Sequence, residues 1–111
     1  MSRMLALALI SLSFAATAHA EGDAANGKQK SQPCAACHGA DGNKTLDQQY
    51  PRIAGQYADY LAKALKDYRS GARKNAVMAG FATTLSDQDV EDLSAYFASQ
   101  PGALKDLSHY K

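Results

Sequence analysis

The chain has 111 residues, of which 46% are apolar and 21% are charged, a composition typical of a single globular domain. Twelve Lys and Arg residues against eleven Asp and Glu residues give a formal charge of +1, so no basic field favours nucleic acid as a partner. Two cysteines cannot form a framework of several disulfides. We therefore expect a small core that needs reinforcement from a cofactor or a covalent link.

The first twenty residues have the pattern of a secretory signal peptide. Arg3 precedes an apolar run over residues 4–14, and the segment ends in the small-residue sequence Ala18-His19-Ala20. A membrane anchor is the alternative, but a membrane span needs about 20 apolar residues and this run is shorter. We expect cleavage after Ala20, which would leave residues 21–111 as a soluble periplasmic domain with no membrane span.

The remaining chain has helical periodicity and no segment that alternates like a β-strand. Asp23 is expected to cap a first helix that ends near Ser31, before Pro33. The polar, glycine-rich residues 39–55 are expected to form a loop. We expect a second loop over residues 72–85.

Two further helices are predicted on either side of this second loop. The first runs from Gln56 to Gly71, where apolar residues recur at helical spacing. Its predicted buried face consists of Tyr57, Tyr60, Leu61, Ala64, Leu65 and Tyr68. The last helix begins at a capping-box pattern over residues 86–89 and ends at Pro101. Its predicted buried face consists of Val90, Leu93 and Phe97. The sequence thus predicts an all-α domain of about three main helices, whose long loops surround a bound group.

Residues 34–38 form the sequence Cys-Ala-Ala-Cys-His, and C-x-x-C-H is the attachment signature of covalently bound haem. Two thiols at this spacing can form thioethers with the two vinyl groups on one porphyrin edge. The adjacent His38 can then lie below the iron and act as its proximal ligand. The motif predicts one haem c, attached through Cys34 and Cys37, with its iron bound by His38.

Three other uses of Cys34 and Cys37 compete with this interpretation. A thioredoxin-like redox pair is expected in a βαβ context, which this chain does not show. A disulfide across so short a loop would add little stability. A zinc site would need ligands from elsewhere, and His109 is the only other histidine after residue 20. We favour haem because the motif occurs in an exported, helical chain.

The sixth coordination position of the iron is expected to be filled by Met78. After signal cleavage Met78 is the only methionine left, and it lies about forty residues beyond His38. A lone methionine can also be core filler. We favour a ligand because residues 75–80 are expected to lie in an otherwise polar loop. His109 is the rival ligand, but it lies close to the C-terminus, where chains tend to be disordered.

Together these features resemble the class I cytochromes c, and most closely the monohaem cytochrome c553 group and one half of the dihaem cytochrome c4 proteins. The resemblance covers essentially all of residues 21–111. Its landmarks are Gly27, Cys34–Gly39, Tyr50–Gln56, Tyr60-Leu61, Gly71–Arg73, Met78 and Leu85–Asp87. It implies a cytochrome c-like fold wrapped around one covalently bound haem.

The resemblance also implies two specific contacts. The first and last helices should cross closely at Gly27, near Tyr96. The carbonyl of Pro51 should accept a hydrogen bond from the second ring nitrogen of His38, which fixes the orientation of a ligating histidine. A dihaem relative would need a second C-x-x-C-H, so this chain is expected to be a single-haem carrier or one half of a non-covalent pair.

We therefore expect a non-enzymatic periplasmic carrier that transfers one electron through a haem with His38 and Met78 as iron ligands. By family analogy, its transient partners would be a quinol-oxidising complex as donor and a terminal oxidase or reductase as acceptor. The alternative is a five-coordinate haem protein that binds a gas or peroxide as a sensor or enzyme. That alternative requires that Met78 is not bound to the iron.

Overall fold

The computed structural model of the chain describes residues 21–102 and residue 104. The predicted signal peptide and His109 lie outside these residues. The described residues form five α-helices and no β-strand, which confirms the all-α prediction. The helices are α1 (Ala24–Lys30), α2 (Gln32–His38), α3 (Ala58–Ser70), α4 (Ala76–Ala82) and α5 (Asp87–Ser99).

The three predicted helices correspond to α1, α3 and α5. The carboxylate of Asp23 caps α1 by accepting the backbone N–H groups of Ala25 and Asn26. At the start of α5, Ser86 and Asp89 form a reciprocal capping box, with both hydrogen bonds at 3.0 Å. These local interactions begin the helices where the sequence predicts.

Two short helices differ from the prediction. α2 begins one residue after α1 ends and carries Pro33 in its first turn, where no intrahelical bond needs its missing N–H. α4 lies inside the region expected to be a loop, because the Asn75 side chain caps it by accepting the N–H groups of Val77 and Met78 at 3.0 Å. The prediction that Met78 lies in a loop is therefore wrong.

α1 and α5 cross in backbone contact at Gly27, as the resemblance implies. A Cβ atom at Gly27 would lie 2.0 Å from the carbonyl oxygen of Asp92 and 2.8 Å from the Cβ of Tyr96. Real Cβ atoms do not approach other atoms this closely, so a side chain here would force the two helices apart. The crossing therefore requires glycine.

A buried carboxylate locks the crossing in place. Asp92 is 1% exposed and accepts the backbone N–H of Asp23 at 2.8 Å, the ammonium of Lys30 at 2.7 Å and the side-chain amide of Gln88 at 2.8 Å. The Asp23 hydrogen bond, then the Lys30 ammonium, lower the pKa of Asp92 to about 2. Both ends of α1 are thus tied to one side chain of α5.

α3 packs against a neighbouring face of α5. The buried cluster between them consists of Leu61, Leu93, Tyr96 and Phe97. At the surface, two ion pairs join the same helices, Lys66 with Glu91 and Arg69 with Asp87. The basic side chains of α3 therefore face the acidic start of α5.

Replacing Gly27 with Ala is expected to lower the free energy of unfolding by about 1–3 kcal/mol, because the added methyl group overpacks the crossing. The measurement is guanidinium denaturation of the holoprotein, followed by circular dichroism. Gly80→Ala is the matched control, since a Cβ at Gly80 in α4 meets no atom within 4 Å. The control should be as stable as the wild type or slightly more stable. Equal stability of the two variants would contradict the tight crossing.

Replacing Asp92 with Asn is expected to flatten the acid dependence of stability. Because the folded pKa of Asp92 is about 2 against an ordinary 3.8, its carboxylate stabilises the fold above about pH 4 and that stability is lost as the pH falls toward 2. The contribution is about 2 kcal/mol. Urea denaturation of the holoprotein between about pH 2 and pH 7 measures it.

Glu91→Gln is the control for this experiment, since its ion pair with Lys66 is exposed to solvent. It should cost less than about 1 kcal/mol at pH 7 and leave the acid dependence unchanged. If Asp92→Asn loses stability in acid as steeply as the wild type, then Asp92 is not the group responsible.

Candidate haem-binding site

A cavity of about 340 Å³ is lined by residues from α2, α3, α4 and α5 and from the loop after α2. Its apolar walls include Leu61, Ala64, Leu65, Leu93 and Phe97. The residues that the sequence nominated for the site all line this one cavity: Cys34, Cys37, His38, Pro51 and Met78. Residues separated by more than forty positions in the chain are thus brought to a common wall.

His38 is the last residue of α2 and is buried. Its Nδ1 lies 2.8 Å from the carbonyl oxygen of Pro51. Since a carbonyl oxygen only accepts, Nδ1 must carry the proton in this contact, which leaves the lone pair of Nε2 for a metal ion. Gly39, at φ 86°, ends α2 immediately after His38 and lets the chain turn into the loop that carries Pro51.

Cys34 and Cys37 lie three positions apart on α2 and are both half-buried free thiols. Residues at this spacing share one face of a helix, so both thiols can reach the same edge of a bound group. Burial, with a smaller effect from Cys37, raises the pKa of the Cys34 thiol. A dithiol oxidoreductase needs the opposite, a thiol whose pKa is lowered. The electrostatics therefore oppose the dithiol alternative.

The zinc alternative also lacks support. Within the part of the chain that the structure describes, no group of three His, Cys, Asp or Glu side chains could hold a metal ion. Cys34, Cys37 and His38 alone cannot complete the four ligands of a structural zinc site.

Met78 lies in the first turn of α4 and is half-buried on the cavity wall. The Asn75 cap holds the Met78 backbone, and Val77 and Phe81 line the cavity beside it. Because Met78 borders the same cavity as His38 instead of filling a closed core, its position favours a ligand over filler.

Several residues at the cavity were not singled out for the site from the sequence, and three of them bear on what the cavity binds. Ser94 of α5 is 2% exposed, and its hydroxyl has no hydrogen-bond partner among the described residues. Arg52 and Arg73 also line the cavity. Nothing in the sequence pattern indicates that a serine on a helix and two arginines in loops would line one cavity.

These observations fit a haem. Buried hydroxyls in folded proteins almost always have a partner, so Ser94 marks the cavity as a space that a further group completes. The two thiols suit the vinyl edge of a haem, and the oriented imidazole of His38 suits its iron. The apolar walls suit the faces of the porphyrin.

The fold and the site together define the class of protein. Residues 24–101 match the family model described as "Cytochrome c". The chain therefore belongs to the cytochrome c family. Members of this family bind haem c covalently, and Cys34 and Cys37 with His38 supply the C-x-x-C-H attachment motif for one haem and its iron.

Two relatives indicate which group within the cytochrome c family the chain resembles. The chain is 47% identical over 100 residues to cytochrome c4 of Pseudomonas aeruginosa, an alignment that covers 90% of this chain and 49% of the relative. It is 48% identical over 82 residues to cytochrome c-554(548) of Halomonas halodenitrificans, covering 71% of this chain and 98% of that protein. The match to the family model and these relatives confirm the resemblance to the cytochrome c4 and c553 group.

A solved structure supports the same fold. The crystal structure of reduced recombinant cytochrome c4 from Pseudomonas stutzeri superposes with a TM-score of 0.69 at 43% identity, covering 75% of this chain and 48% of that one. The chain spans about half the length of the cytochromes c4 it matches. Among the described helices, none is long and apolar enough to cross a bilayer.

Replacing both Cys34 and Cys37 with Ser is expected to abolish covalent attachment, because serine cannot form a thioether with a vinyl group. The measurement is haem staining after denaturing electrophoresis, where only covalently bound haem stays with the chain. Ala36→Ser, an exposed change inside the same motif, is the control and should stain like the wild type. Staining of the double variant would contradict the assignment.

Proposed function

We propose that this protein is a periplasmic electron carrier whose haem iron is bound by His38 and Met78. The single observation that supports this most is that Met78 and an already oriented His38 border the same cavity. Cytochrome c relatives support the carrier class. The ligand pair, the exported location and the partners are the parts that we propose.

A bound haem c supplies a one-electron ferric–ferrous couple at its iron. In this proposal the Nε2 of His38 is the proximal ligand, and the Pro51 carbonyl holds the ring in the tautomer and orientation for that bond. The thioether of Met78 is the second ligand, and it raises the reduction potential because it favours the ferrous state.

The apolar walls of the cavity also raise the reduction potential. Leu61, Leu93 and Phe97 are buried side chains with no charge to offer to an oxidised iron. A low-dielectric wall disfavours the more highly charged state and excludes water. If His38 and Met78 both bound the iron, no coordination position would be left for a substrate, which would fit a carrier better than an enzyme.

The half-buried Cys34 and Cys37 mark the side of the cavity where the haem edge would approach solvent. Electron exchange at that edge needs only a small, transient interface. We propose a quinol-oxidising complex as the donor and a terminal oxidase or reductase as the acceptor. This role fits a respiratory chain at the periplasmic side, after removal of residues 1–20 as a signal peptide.

Replacing Met78 with Ala is expected to open the sixth position of the iron and to lower the reduction potential, because the thioether is lost. The measurement is an optical spectrum of the oxidised protein, then of the reduced protein, with carbon monoxide added last. The wild-type spectrum should be unchanged by carbon monoxide. The variant spectrum should shift promptly.

Val77→Ala is the control, since it shortens the neighbouring side chain on α4 without removing a sulfur atom. Its spectrum should be unchanged by carbon monoxide. A prompt shift in the wild type itself would contradict Met78 as a ligand and would favour the five-coordinate sensor or enzyme. No haem bands in the wild type would overturn the proposal as a whole.

A further inference from the structure

Most of the lysine and arginine side chains on the helices form ion pairs with nearby carboxylates. Lys30 contacts Asp89 and Asp92, Lys63 contacts Asp67, Lys66 contacts Glu91, and Arg69 contacts Asp87. Arg73 differs from these, because it forms no ion pair with a carboxylate of the described residues and it lines the haem cavity. Its guanidinium is thus available to a group in the cavity.

Three contacts hold Arg73 in this place. Its backbone N–H donates to the carbonyl of Asp67 at 3.0 Å, which anchors the residue just beyond the end of α3. Its guanidinium lies over the ring of Tyr68, 4.9 Å from the ring centre. A hydrogen bond with Tyr60 is the main effect that raises the pKa of Arg73, so the group stays charged. Tyr60 and Tyr68 line the same cavity.

Arg73 is exposed to solvent and also lines the cavity, so it lies at the cavity's rim. Among the described residues that line the cavity, Arg52 and Arg73 are the lysine or arginine side chains. A planar guanidinium carries five N–H donors and binds a carboxylate through two parallel hydrogen bonds. Haem brings two carboxylates, its propionates, and each needs a hydrogen-bond donor or a cation as a partner where it is removed from bulk water.

We propose that Arg73 binds a haem propionate, with Tyr60 and Tyr68 as positioning residues that aim its guanidinium. Of the two arginines, Arg73 is the one whose side chain the structure holds, over the ring of Tyr68 and through a hydrogen bond with Tyr60. The inference rests on haem occupying this cavity, and it does not depend on Met78 as an iron ligand.

A propionate beside Arg73 has a measurable consequence. A cation in contact with a carboxylate lowers its pKa by about 1–3 units and keeps it ionised at neutral pH. Its charge then stays constant as the pH changes, and so does its influence on the iron. The other ionisable side chains that face the cavity are Cys34, Cys37, His38, Tyr50, Arg52, Tyr60 and Tyr68, with Asp67 acting on Arg73 from α3.

The test is the midpoint potential of the holoprotein between about pH 5 and pH 8, measured by spectroelectrochemistry. Arg73→Gln is expected to raise the pKa of the propionate by about one unit or more. Its potential should therefore change more steeply with pH than that of the wild type. Arg73→Lys retains the charge but loses the planar pair of donors, so an intermediate dependence is expected.

Lys74→Gln is the matched control, because Lys74 is an exposed neighbouring cation that does not line the cavity. It should keep the pH dependence of the wild type. Tyr60→Phe removes a positioning hydroxyl and should shift the dependence in the direction of Arg73→Gln by a smaller amount. An equal shift in Lys74→Gln would overturn the proposal, since it would show a general effect of surface charge.

A lower thermal stability of Arg73→Gln with the pH dependence of the wild type would also overturn the proposal, because Arg73 would then only pack on Tyr68. The wild-type haem spectrum, recorded first, separates the two proposals. A protein without haem contradicts the proposed function, whereas a haem-containing protein in which Arg73→Gln behaves like the wild type contradicts only the role of Arg73.

Discussion

The close approach of α1 and α5 at Gly27 is the constraint on which the rest of this structure depends. It brings the backbone of α1 against Asp92 and Tyr96, and α2 follows α1 after one residue. The position of α2 therefore places the attachment motif, while the adjacent face of α5 supplies Leu93 and Phe97 to the cavity wall. In so small a domain, one helix crossing thus sets two walls of the haem site.

Charged side chains have two separate uses in this structure: some hold the helices together, and others lie at the cavity. The buried Asp92 and the ion pairs between α3 and α5 use charge to hold helices together. At the cavity, the ordered features are a His38 ring held by a carbonyl and a guanidinium held by tyrosines. Groups held in advance lose little conformational freedom when they bind a cofactor, which favours tight and oriented binding.

Sequence patterns predicted those parts of the fold and site that depend on local chemistry. The caps at Asp23 and Ser86, the helical face of α5 and the C-x-x-C-H motif depend on neighbours within a few residues. The same reasoning failed at α2 and α4, where Pro33 and the polar flank of Met78 indicated the absence of a helix. A proline in the first turn costs no hydrogen bond, and the Asn75 cap with packing against α3 outweighs weak local propensity in α4.

The sequence by itself determined the helical class, the covalent attachment chemistry and the candidate ligands, because each depends on which residue types occur within a few positions of one another. The resemblance already implied the contact between His38 and the Pro51 carbonyl, which the structure places at 2.8 Å. Only the tertiary structure decided that His38 and Met78 border one cavity and that Ser94 and Arg73 line the same space. The physical reason is that these relations join residues far apart in the chain. Their proximity comes from helix packing, which no local pattern encodes; of this packing, only the crossing at Gly27 was implied beforehand, by the resemblance to a known family.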